Sequence, residues 1–196
     1  LVTEKLRVNM KRIAWGITGS GDLIKETYNV MVDIKKNTNV DFMVFLSKEG
    51  ETVMKWYRMW EDIQRDFPNF KTDAGPNSPF IAGPLQLGYY DMLIIAPATA
   101  NTVAKIVHGI ADNLVTNAVA QTAKGDTPIY ILPVDRKKGT ITTYSPKGKE
   151  MKLKMRDIDI ENTQKLSRME NITVLESPED LYKIIGISKD KMLDKS

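Results

Sequence analysis

"DMLIIAPATANT", residues 91–102, decides the fold. Met92 to Ile95 is continuously apolar, without the alternation of a half-exposed strand. Such a run belongs in a parallel sheet covered on both faces. It stops at Pro97 among small and hydroxyl-bearing residues, so Pro97, Ala98, Thr99 and Asn101 lie where the chain leaves the carboxyl edge of the sheet. Open α/β sheets bind their ligands at that edge. A helix cap would explain Thr99 or Asn101 singly. It explains the whole segment less well, because Ala98 and Ala100 leave room for a flat group against the backbone.

The same pattern recurs on either side. "RIAWGIT" (12–18), "VDFMVFLS" (40–47) and "PIYILPV" (128–134) read as further buried strands, and 23–36, 48–67, 99–109 and 112–124 as helices between them. Residues 68–79, rich in Pro, Gly and Asn, read as a loop. This order predicts an α/β three-layer sandwich around a mainly parallel, doubly wound (Rossmann/flavodoxin-like) sheet with right-handed crossovers. After residue 138 the character changes. "TITTYSPKGKEMKLKMR" reads as a β-hairpin turning around Pro146 and Gly148. "NITVLES" (171–177) reads as a last strand, and 177–187 as a closing helix with Ser177 as N-cap and Pro178 at its first position. The expectation is a single domain over 1–196, with its core at 11–135 and the hairpin, strand and helix at 138–187.

Composition narrows the function. A chain of 196 residues, 42% hydrophobic and 27% charged, suits one soluble globular domain. The net charge of +3 is nearly balanced, so nucleic acid is not an expected partner. The densest basic stretch, 136–156, is interrupted by hydrophobic residues and reads as a solvated hairpin face. No cysteine is present, which excludes disulfides, cysteine nucleophiles, zinc–thiolate sites and iron–sulfur ligation. No metal site is read. A cysteine-free chain fits a reducing compartment. No apolar run approaches the ~20 residues that span a bilayer, and no signal-peptide core opens the chain. The expected location is cytoplasmic, away from membranes.

Two more strand ends join the first on the same edge. "GITGSGD" (16–22) combines glycines that permit close backbone approach with the hydroxyls of Thr18 and Ser20, ahead of a helix N-terminus suited to a phosphate. The glycine spacing is not the dinucleotide fingerprint, and the P-loop lysine is missing. Ser47 ends the second strand, where a bare N-cap is the simpler reading. Taken together, the three polar strand ends suit a mononucleotide with one phosphate and a planar ring. His108, the sole histidine, reads as a helix-terminal residue rather than a general acid. "MKWYRMW" (54–60) puts methionines and aromatics on one helix, read as core or subunit packing rather than ring stacking.

The motifs together resemble the FMN-binding flavoprotein superfamily of peptidyl-cysteine and phosphopantothenoylcysteine decarboxylases, flavin prenyltransferases and archaeal reductases. "GITGSG" is similar to its first loop, "PATANT" to its P-A-S-A-N-T segment and "HGIADNLVTNA" to the helix pair that follows. The likeness covers about residues 11–135, and "KIVHGIADNLVTNAV" with a basic hairpin looks closest to the archaeoflavoprotein and dihydromethanopterin reductase branch. The resemblance implies FMN bound between subunits of a trimer or a multiple of three. It places Thr18, Gly19 and Ser20, with Ser47, on the phosphate side. Pro97, Ala98, Thr99 and Asn101 fall near the ring and ribityl chain, and Asp112 and Asn113 near the cofactor or a subunit contact. It implies an FMN oxidoreductase or electron carrier, fed by a ferredoxin-like donor and reducing a pterin-like acceptor. The alternatives are a non-redox FMN enzyme and a flavin-binding structural subunit. The decarboxylases' P-x-M-N-x-x-M-W motif is absent where "LPVDRKKGTITTY" stands, and Asp135-Arg136-Lys137 only loosely imitates the prenyltransferases' Arg-Glu-Thr-Pro-Leu.

Overall fold

The structure, a computed structural model, describes residues 10–186. In chain order its strands are β1 (Lys11–Ile17), β2 (Val40–Leu46), β3 (Phe70–Thr72), β4 (Met92–Ala98), β5 (Ile129–Pro133), β6 (Thr140–Tyr144), β7 (Glu150–Lys154) and β8 (Ile172–Val174). The helices are α1 (Ile24–Asn37), α2 (Lys48–Trp56), α3 (Trp60–Asp66), α4 (Ala82–Gln86), α5 (Ala100–Val107), α6 (Leu114–Thr122), α7 (Asp157–Leu166) and α8 (Asp180–Ile185). Six strands form one sheet in the order β3-β2-β1-β4-β5-β8, every neighbour parallel. The chain winds outward from β1 to β3 and then crosses back to β4. The order therefore reverses between β1 and β4, which is where a doubly wound sheet opens a crevice.

Successive side chains of each strand feed opposite layers. Ile13, Trp15 and Ile17 join α1, α3 and α8 on one face, while Ala14, Phe45 and Ile95 join α4, α5, α6 and α7 on the other. Both faces are covered, so the strands are apolar throughout, as "MLIIAPA" is. Trp15 is buried in the first layer, with its ring 5.2 Å from that of Phe67 and its Nε1–H donating to the Ala96 carbonyl at 2.7 Å. That bond lets the large ring be buried without an orphaned donor.

Several expected elements take a different form. The single helix over 48–67 is two helices, with Arg58 in the left-handed region at φ 59° between them. Met54 and Met59 are both core residues. Five positions along a straight helix would point them about 140° apart, and the break turns both inward. Of the two readings of 54–60, core packing holds for both methionines, and of its aromatics Trp56 is the one left 63% exposed. The expected loop at 68–79 contains β3. α7 was not expected, because its inward face carries Asp159, Asn162 and Thr163 beside Leu166 and shows no apolar period. The last strand shortens to β8. Ser177 does not cap α8: the Asp180 carboxylate instead accepts from the N–H groups of Glu176 and Ser177, at 2.9 and 3.0 Å. Residue 187 of the expected helix lies outside the described residues. The hairpin is present, with Tyr144 opposite Glu150.

Candidate functional site

Helix starts gather at the crevice. Ser47 begins α2 and its side chain accepts from the Gly50 N–H at 3.0 Å. Thr99 begins α5 and accepts from Thr102 at 3.2 Å. Asn113 begins α6 in a reciprocal capping box with Thr116. The cap reading of Ser47 and Thr99 is thus correct, and both of these helix starts border one cleft. Thr18 ties the floor together. Its hydroxyl donates to the Pro97 carbonyl at 2.8 Å and accepts from the Thr99 N–H at 2.9 Å, joining the ends of β1 and β4.

Above this floor lies a cleft of about 510 Å³, within the ~300–1,000 Å³ usual for small-molecule sites. Thr18, Gly19, Ser47, Thr99, Asn101, Asp112 and Asn113 all line it. Three of the expected residues do not. Pro97 and Ala98 are buried inside β4, beneath the cleft. Ser20 is buried too, its hydroxyl closing a local turn with the backbone N–H and carbonyl of Asp22. His108 is exposed at the C-terminal end of α5, away from the cleft.

The donors in the cleft are mostly backbone. Among the described residues, the N–H groups of Gly19, Lys48, Glu49 and Asn101 have no acceptor in the chain. α2 and α5 also direct the positive ends of their dipoles here, an arrangement that attracts anions. Gly19 lets this happen: a Cβ on it would stand 2.5 Å from the Cβ of Glu49 and 3.0 Å from that residue's carbonyl. α6 is more self-contained, because the Asp73 carboxylate accepts from Leu114 N–H at 3.3 Å and from Gly75 N–H at 2.8 Å.

Asp73, Lys105 and Glu49 line the cleft but were not foreseen. Lys105 was within reach of sequence reasoning, since it lies one helical turn after Asn101 on the same face. It pairs with Asp112 at 2.6 Å and holds that carboxyl below the usual range. Asp73 gave no signal, because the loop carrying it gains its place only through β3 pairing with β2.

Beyond β5, Asp135 is half-buried. Burial raises its pKa above 3.8, with the Ala100 N–H acting in the opposite direction. Such a carboxyl holds its proton more tightly folded than unfolded, so native stability falls as pH climbs from about 3.8 through the raised folded value, with nothing regained above it. Asp135→Asn should therefore raise the melting temperature at pH 7 and lose that advantage in acid below the unfolded carboxyl range, checked by thermal melts across pH. Its neighbour Arg136 is engaged elsewhere: its guanidinium donates to the carbonyls of Pro133 and Glu176 and clamps the end of β5 to the end of β8.

A doubly wound sheet with a cleft of unused N–H donors at its switch point is the arrangement in which open α/β folds bind their ligands. The chain matches the Flavoprotein family over residues 2–194 and belongs to that family. It is 48% identical over 176 residues to an uncharacterised protein of Methanocaldococcus jannaschii, covering 90% of this chain and 95% of that one. It is 33% identical over 240 residues to the dihydromethanopterin reductase (acceptor) of the same organism, covering 92% and 97%. Burkholderia xenovorans DmrB, solved in complex with FMN and described as a cubic protein cage for redox transfer, superposes with a TM-score of 0.76 at 32% identity, covering 94% of this chain and 97% of that one.

Proposed function

We propose that the cleft binds FMN and that the protein is an FMN-dependent oxidoreductase, passing electrons from a soluble donor such as a ferredoxin to a pterin-like acceptor. The observation that carries the reading is the set of unused N–H donors: those of Gly19 and the start of α2 fit one phosphate, and that of Asn101 at the start of α5 borders the same cleft. The similarity to a dihydromethanopterin reductase and to an FMN-bound redox protein supports the cofactor and the reaction class. The bound flavin supplies the redox chemistry, and the protein supplies binding, orientation and electrostatics.

In this reading Thr18, Gly19 and Ser47 form the phosphate side, with Ser20 shaping the loop from beneath. Thr99 and Asn101 meet the ribityl chain and ring, over a floor made by Pro97 and Ala98. Asp112 and Asn113 form the rim. A trimer, or a multiple of three, is the expected assembly, and the exposed Phe80, Leu87 and Tyr89 offer apolar surface for it. The basic hairpin suits an acidic protein donor. Arg136 is committed to backbone carbonyls at the ends of β5 and β8 and is not free to meet a prenyl-phosphate substrate. The cysteine-free chain fits a cytoplasmic setting, and among the described residues no helix is long and apolar enough to cross a membrane.

The first test is the visible spectrum and the chromatography of released cofactor. FAD, or a colourless protein that ignores added FMN, overturns the reading. Asn101→Ala is the sharper probe. Its side chain is exposed and makes no hydrogen bond within the described residues, so its loss should leave the melting temperature of the flavin-free protein unchanged. FMN affinity should fall by about 1 kcal/mol, the worth of one hydrogen bond. Equal FMN affinity would remove Asn101 from the site.

A further inference from the structure

The ionisable side chains of the cleft fall into two groups. Lys48 and Glu49 follow Ser47 at the start of α2, where Gly19 packs against Glu49. Asp73, Lys105 and Asp112 belong to the part built from the loop after β3, the last turn of α5 and the approach to α6. Lys105 lies about 9 Å along the α5 axis from Thr99, at the ordinary helical rise. In this second group two carboxylates stand with one ammonium. Asp73 is already engaged by the N–H groups of Leu114 and Gly75, and Asp112 by Lys105.

Lys105 is held inward. A lysine in the last turn of a helix is free to extend into water or to meet the terminal carbonyls. This one stays in the cleft, its ammonium 2.6 Å from the Asp112 carboxylate. The lysine side chain is 24% exposed and its partner 51%, so the cation is the inner member of the pair. The reading of the cleft as the FMN site puts the phosphate at Gly19 and α2, and the ribityl chain then carries the ring toward the second group. A neutral flavin ring that takes up two electrons and one proton keeps one negative charge. Asp73 and Asp112 oppose that charge, as like charges do. Charge beside the ring is one of the levers by which a protein tunes a flavin, and Lys105 is the cation of this group.

We propose that Lys105 sets the reduction potential of the bound flavin, its ammonium stabilising the negative charge of the reduced ring, and that Asp112 is a positioning residue that keeps this ammonium in the cleft and moderates its charge. This rests on the reading of the cleft as the flavin site.

The test is the midpoint potential of bound FMN at pH 7, from spectrophotometric titration against a reference dye, for the unaltered protein and three variants. Lys105→Met should weaken reduced FMN about tenfold more than oxidised FMN, which lowers the midpoint by about 30 mV for a two-electron couple. Lys105→Arg keeps the charge and should keep most of the midpoint. Asp112→Asn should raise the midpoint, because it removes a negative charge and leaves the ammonium. The opposite signs separate charge from architecture. A pair that only staples α5 to the approach to α6 is broken by either substitution, and the two variants then move the midpoint in the same direction or not at all. Either of those results overturns the proposal. So does a Lys105→Met change below about twofold in the affinity ratio, or an arginine variant that falls as far as methionine. Titration with oxidised FMN, followed by flavin fluorescence, is scored separately. A protein that binds no FMN defeats the reading of the cleft and the role of Lys105 together, whereas FMN bound with an unmoved midpoint defeats the role of Lys105 alone.

Discussion

Gly50→Ala should destabilise the protein by about 2–3 kcal/mol, an overpacking cost, and should weaken FMN binding with it. The direction is what makes the result informative. Gly50 is the third residue of α2, and an alanine in a helix is ordinarily better than glycine by up to about 1 kcal/mol. Here a Cβ would stand 2.6 Å from the carbonyl oxygen of Ile17. That oxygen cannot move freely, because it accepts the Ser47 N–H at 3.0 Å and so joins the end of β1 to the start of α2. Relief requires α2 to lift, which withdraws the Lys48 and Glu49 N–H groups from the cleft. Urea denaturation gives the stability, and fluorescence of released flavin gives the affinity. A stabilised variant with full FMN affinity would mean that α2 does not pack on β1 in this way.

The parts of the fold that sequence made legible are those whose residues answer to one local requirement. β4 and β1 had to be apolar on both faces because helices cover both, and Met92–Ala98 shows that directly. Ser47 and Thr99 were legible because a helix start needs a side-chain acceptor wherever it lies. What stayed hidden depends on contacts across the chain. The break at Arg58 follows from two methionines that must reach one core, a demand no window of 48–67 displays. α7 lacked an apolar period because its inward face is polar and partly neutralised in place, with Arg156 holding the buried Asp159 at 2.7 Å. Ser20 looked like a ligand contact because hydroxyls beside glycine suit phosphates, yet its turn with Asp22 takes the hydroxyl away. Asp73 was invisible because β3 is three residues long and owes its position to its neighbour.

Thr18→Val should cost about 2–4 kcal/mol, since each buried group left without a partner costs roughly 1–3 kcal/mol, and it should reduce FMN affinity more than Asn101→Ala does. The substitution keeps the shape of a side chain that is 1% exposed, so cavity formation contributes little and the hydroxyl is what is measured. Without it, the Thr99 N–H loses its acceptor, and the Pro97 carbonyl keeps only the longer 3.3 Å bond from the Thr18 N–H. Thr99 is the N-cap of α5, so the consequence travels: a displaced cap shifts Asn101 and the helix end that borders the cleft. Thr18→Ser retains both bonds and loses one methyl, and its cost should lie well below that of valine. Paired urea midpoints and FMN titrations for the two variants separate the possibilities. If valine matches threonine within about 0.5 kcal/mol, the range of an ordinary surface change, then the ends of β1 and β4 are held together by their ladder alone, and the hydroxyl has no part in setting the cleft.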